Sequence, residues 1–130
     1  LKYQGIEAAG KVLARAMVPL LPARTAALVP LPRAMLRRVR YGTDPALVLA
    51  KRLGTETGLP VVRALVPQLW WPAHAGSSRN RRQPPRFRIA RSIPDGGVLV
   101  DDVLTTGATI AAAAAVTGVR HAVTATRAGE

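Results

Sequence analysis

The run Val98-Leu99-Val100-Asp101-Asp102-Val103-Leu104-Thr105-Thr106-Gly107-Ala108-Thr109-Ile110 decides how the rest of the chain is read. Val98 to Val100 is a short apolar, β-branched stretch that predicts a buried strand, set off by Pro94-Asp95-Gly96-Gly97 before it. Two adjacent carboxylates, Asp101 and Asp102, stand at the strand's end. After the pair Val103-Leu104 come Thr105, Thr106, Gly107, Ala108 and Thr109, then an alanine-rich helix from Ile110 to Val116. Thr105 or Thr106 suits the N-cap, and Gly107 lets the backbone come close to a ligand. Free N–H groups at a helix start, at the positive end of its dipole, attract anions. Phosphate is the natural guest.

The carboxylates supply the other half. Neighbouring side chains on a strand point to opposite faces, so Asp101 and Asp102 would diverge if the strand ran on. At a strand end leading into a loop, both reach one polar ligand edge. Their oxygens suit sugar hydroxyls or a hydrated magnesium ion. A plainer reading makes them two helix-dipole carboxylates beside a capped turn. The Thr-Thr-Gly-x-Thr run is more than such a cap requires.

The same run closely resembles the phosphoribosyl-diphosphate (PRPP) signature of type I phosphoribosyltransferases. Val29-Pro30-Leu31-Pro32, an Arg-rich stretch and Arg40-Tyr41-Gly42-Thr43-Asp44-Pro45 narrow the likeness to the ComF-type, competence-associated branch. Lys2-Tyr3-Gln4-Gly5 resembles the segment that opens the family's transferase domain. The resemblance implies one α/β domain over residues 1–130, with a mainly parallel sheet flanked by helices. The cysteine-rich zinc ribbon that commonly precedes it in this branch is not expected here. It also implies roles. Asp101 and Asp102 are the catalytic pair that holds the ribose hydroxyls. Thr105, Thr106, Gly107, Ala108 and Thr109 wrap the 5′-phosphate, and Mg2+ bridges ribose and diphosphate. Arg33 and Arg40 are the diphosphate candidates. Arg79 falls in a mobile loop that closes over the reacting centre, with Phe87 at that loop's Phe position and Arg82 where the branch has Asn.

Composition sets outer bounds. The chain has 130 residues and is 48% hydrophobic, which favours a folded domain with a modest core over disorder. No apolar run approaches the roughly 20 residues of a membrane span. No signal peptide is read at the start, and Leu1 in place of Met fits a shortened or processed chain. Cysteine is absent, which excludes disulfides and thiolate metal sites. A cytoplasmic setting is the default expectation. Lys and Arg total 19 against 7 acidic residues, a net charge of +12, and most lie between Arg33 and Arg91. Arg binds phosphate oxygens in pairs, and the same excess attracts nucleic acid without sequence preference.

Taken in order, residues 1–21 predict a helix whose face is Ala8, Val12, Leu13, Ala16 and Met17, ended by Pro19 and Pro22. Ala26 to Pro32 predicts a first buried strand. Asp44 to Thr57 predicts a helix capped by Asp44, with Ala46, Leu49, Ala50 and Leu53 as its apolar stripe. Pro60 to Val66 predicts a second strand. Gln68 to Arg88 is irregular, and its Trp70-Trp71 pair suits packing or a homodimer interface better than base stacking. His74 has no acidic neighbour and is given no role. After Gly118, Val119 to Thr126 predicts a last strand. Alternating helices and strands argue for a mainly parallel sheet, with ligands at the strands' carboxyl ends.

Two functions follow. The first is a PRPP-binding transferase that moves the phosphoribosyl group to an unknown acceptor and releases diphosphate. Family members acting on 6-oxopurines have a carboxylate where Thr105 stands, so such an acceptor is not expected. The second is a non-catalytic competence or DNA-uptake module that binds single-stranded DNA through its basic face.

Overall fold

The computed structural model describes residues 2–32, 44–67 and 87–127. Helix α1 spans Lys2–Met17 and tightens into a 3-10 turn at Val18–Leu20, where Pro19 sits. Strand β1 is Ala27–Pro30, and helix α2 is Pro45–Thr57. Strands β2, Leu65–Pro67, and β3, Phe87–Ile89, form an antiparallel pair. Strand β4 is Gly97–Leu104, helix α3 is Ala108–Thr117, and strand β5 is Ala122–Arg127. The main sheet has the order β1-β4-β5 and both pairings are parallel. This is the expected α/β class, with helices flanking a parallel sheet.

Strand β4 lies in the middle because it is the most apolar stretch that both faces can cover. Val98 and Val100 pack with α1 and α2 residues Ala14, Met17, Leu49, Ala50 and Leu53. Leu99 points the other way, into a second cluster with Val29, Leu65, Phe87 and Ala113. Period-two alternation thus feeds two cores from one strand. All four residues of β1 are buried, as a parallel strand covered on both faces requires. The α2 stripe Ala46, Leu49, Ala50 and Leu53 is buried as the spacing predicts. Gly58 and Gly118, both left-handed, end α2 and α3.

Four expectations need correction. On α1, Ala8, Val12 and Ala16 are exposed, Val12 at 68%, while Gly10, Ala14 and Met17 are buried. The buried stripe is rotated so that Gly10 faces Val48 of α2. Pro60 to Val66 is not one strand. Val61 makes a single parallel bridge to Leu28, fixed by Leu28 N–H to Pro60 C=O at 2.9 Å and Val62 N–H to Leu28 C=O at 2.8 Å. The chain then leaves the sheet to pair as β2 with β3, a strand that the sequence reading left in an irregular loop. The last strand starts at Ala122, since residues 118–121 are needed to turn back from α3. Lastly, β4 runs on to Leu104 rather than ending at the carboxylates.

No helix among the described residues is long and apolar enough to cross a membrane. The rotated α1 stripe has a measurable consequence. Met17→Ala should cost about 2–4 kcal/mol in urea denaturation, because Met17 is 2% exposed and its loss leaves a cavity. Val12→Lys should change stability by less than about 0.5 kcal/mol. The reverse ranking would put Val12, and not Met17, in the buried face.

Candidate functional site

The site is built at the carboxyl end of the central strand. Beyond Leu104, residues Thr105 to Gly107 bend the chain into α3, and Gly107 takes φ 85°, ψ 0°. That left-handed conformation suits glycine. Gly107, not a threonine, occupies the N-cap position, so the expected hydroxyl cap is corrected. Thr106 still contributes, because the Ala108 N–H donates to its Oγ1 at 3.2 Å. The first intrahelical bond runs from Ala111 N–H to Gly107 C=O, 2.8 Å. First-turn amides such as those of Thr109 and Ile110 have no carbonyl one turn earlier in the helix. Thr105, Thr106 and Ala108 are exposed, and Gly107 and Thr109 half-buried, so this end of the helix is open to solvent.

The two acids sit differently from the expectation. Both lie within β4, where Asp101 pairs in register with Thr124 of β5. Alternation assigns Asp101 to the Leu99 face and Asp102 to the Val100 face. They nevertheless stay in contact. The Asp102 N–H donates to Asp101 Oδ1 at 2.8 Å, and the two side chains share a hydrogen bond. Burial, that side-chain bond, and the charges of Asp102 and Asp44 raise the Asp101 carboxyl to about 7, outweighing the backbone bond that favours its ionised form. Asp101 is therefore a carboxyl that holds or releases its proton near neutrality, a condition that sites use more often than surfaces do.

Asp44 is the residue that sequence reasoning undervalued. It stands at the N-cap position of α2 but makes no side-chain cap bond. Its Oδ1 is fully buried, with no hydrogen-bond partner among the described residues. Asp44 follows the chain's return from β1, so it reaches the same end of the sheet, and its charge acts on Asp101. The signal in the sequence is its place in the run Arg40-Tyr41-Gly42-Thr43-Asp44-Pro45, where it carries part of the family resemblance and predicts a helix cap. Arg33, Arg40 and Arg79 lie outside the described residues, as do Trp70, Trp71, His74 and Arg82. Among the described residues no group of three acidic, His or Cys side chains is arranged to hold a metal ion.

The raised Asp101 carboxyl predicts a pH dependence of stability. The folded state holds this proton up to about pH 7, whereas an ordinary Asp releases it near 3.8. Stability from this group is therefore full in acid, falls as pH rises between those values, and is flat above. The full difference corresponds to about 4 kcal/mol, which solvent screening of a partly exposed side chain cuts to about 2. Asp101→Asn should accordingly raise stability at pH 8 by about 1–2 kcal/mol and change it little at pH 4, read from urea melts. A loss of stability at pH 8 would mean that the carboxylate itself holds the fold together.

No protein-family model matches the chain, and no curated protein matches it.

Proposed function

We propose that the chain is a type I phosphoribosyltransferase-like domain of the ComF-type branch that binds PRPP at the carboxyl end of β4. The observation that carries this reading is the open strand–loop–helix unit: two acids in the central parallel strand, then Thr105 to Thr109 leading into α3 through a left-handed Gly107. Ligands of parallel sheets bind at that end. Exposed amides at a helix start suit a 5′-phosphate, and Thr105, Thr106 and Thr109 add hydroxyl donors. Asp101 and Asp102, when ionised, accept from the ribose hydroxyls.

Magnesium fits this arrangement as a ligand-borne ion. It takes oxygen ligands and keeps several waters, so one or two carboxylates beside a diphosphate suffice. Asp101 and Asp102 are the residues placed to meet it, and bound there it would neutralise the departing diphosphate. The chain's own contribution is positioning: fixed amides for the phosphate and fixed carboxylates for the sugar. The reaction is displacement at the anomeric carbon by an acceptor that the site does not name.

The basic surface supports a second reading as a DNA-binding module. Arg63, Arg88 and Arg91 are exposed around the β2–β3 pair. Calorimetric titration of the chain with PRPP plus magnesium, beside a titration with single-stranded DNA at two salt concentrations, tests both. Saturable, magnesium-dependent heat with PRPP supports the transferase-like reading. Salt-sensitive DNA binding without any PRPP heat overturns it in favour of the module.

A further inference from the structure

We propose that the groove at the amino ends of the strands, opposite the Thr105–Thr109 loop, is a second binding site for a small organic anion with a flat apolar body. The groove encloses about 470 Å³, within the roughly 300–1,000 Å³ of small-molecule sites. Pro22, Ile93, Pro94 and Val119 give it apolar walls. Arg24 enters from the turn before β1, and Arg120 and His121 enter from the turn between α3 and β5. They face a single acid, Asp95.

The polar recognition in the groove is cationic by elimination. Thr25 Oγ1 donates to the Pro22 carbonyl at 2.6 Å, and Thr117 Oγ1 donates to the Ala113 carbonyl at 2.8 Å. Both hydroxyls are thus turned to their own backbone. Among the described residues the one ion pair is Arg15–Glu56, at 3.4 Å, so neither Arg24 nor Arg120 is neutralised by a described acid. A cation close to the end of α3 is favoured by the negative end of its dipole, which favours Arg120 in the turn that follows. The dipole does not account for Arg24, which comes from another segment and lines the same groove. Gly96 and Gly118 make left-handed turns at the rim, at φ 87° and 75°. Two arginines among the apolar residues that line one groove suit a carboxylate or phosphate attached to a ring.

The test is a ¹H–¹⁵N NMR titration of the whole chain with phenyl phosphate, repeated with benzoate and with inorganic phosphate. Saturable shifts are expected at the amides of Gly96, Gly97, Gly118 and Val119, in a titration separate from any at Thr105 to Thr109. Arg24→Ala with Arg120→Ala should weaken binding at least about tenfold, leaving distant signals in place, since both side chains are exposed. Arg24→Glu alone should weaken it as well. Response to phenyl phosphate without benzoate assigns the groove to phosphates, and response to both assigns it to anions of either kind. Groove amides that do not move, equal affinity in the double variant, or inorganic phosphate binding as tightly as phenyl phosphate would each overturn the proposal.

Discussion

An Asp101→Asn, Asp102→Asn double variant should bind PRPP with magnesium at least about 100-fold more weakly than the parent chain. On the proposed reading each carboxylate accepts from ribose hydroxyls, and a hydrogen bond to a charged group contributes about 1.5–3 kcal/mol. Losing two such acceptors gives about 3–6 kcal/mol, of which a factor of 100 uses less than the lower bound. Unfolding does not compete as an explanation, because Asn at 101 removes a partly buried charge and should stabilise the chain at neutral pH. The raised Asp101 carboxyl adds a second signature. The parent must lose this proton before the oxygens can accept, so PRPP affinity should rise about tenfold per pH unit below 7 and level off above it. Calorimetry at pH 6, 7 and 8 reads both effects. Unchanged affinity in the double variant would remove the carboxylates from the site and leave the DNA-binding reading in front.

The second large effect belongs to the frame that holds β4 in register. Gly97 N–H donates to the Pro94 carbonyl at 3.2 Å, closing a turn whose third residue is Gly96 at φ 87°. Turns of this kind need a positive φ at that position, which favours glycine. Ala26 N–H donates to the Gly96 carbonyl at 2.8 Å, directly before the pairing of Ala27 with Gly97 that starts the β1–β4 ladder. A Cβ at 96 would lie 2.6 Å from the Arg24 carbonyl oxygen and 3.1 Å from Ala26 N. Those atoms are backbone and have no side-chain freedom with which to retreat. Gly96→Ala should therefore cost about 3 kcal/mol, a drop of roughly 10 °C in Tm. Gly118→Ala is the control, with φ 75° but nothing within 4 Å of its Cβ, and it should cost only about 1 kcal/mol. Equal losses in the two variants would mean that backbone conformation alone, not the crowding against Arg24 and Ala26, sets the requirement.

The two glycines also mark how far reading residues in order can go. Pro94-Asp95-Gly96-Gly97 is legible as a turn, and Gly118 as a helix stop, from residue type alone. That Gly96 is crowded by Arg24 depends on strands far apart in the chain lying side by side. Asp44 shows the same limit. Its type and place predict a cap, yet packing buries its Oδ1 without a partner among the described residues and brings its charge to bear on Asp101. On α1 the 3.6-residue period is plain, but Gly10 rather than Val12 faces α2. Hydrophobic type does not reveal which side of the helix its neighbour covers.

Local chemistry by itself determined the three helices, the buried strand at Val98 to Val100, the α2 stripe and the glycine-containing turn that leads into α3. These depend on short-range periodicity and on glycine's freedom. Tertiary structure alone decided that β4 continues to Leu104, that Val61 leaves the sheet after one bridge, and that Phe87–Ile89 is a strand. The reason is that a ladder persists where a neighbouring strand offers its carbonyls and amides. Such partners come from residues distant in sequence, so no local pattern announces them. The ionisation of Asp101 belongs to the same class, because burial and two other carboxylates set it, one of them 57 residues earlier in the chain.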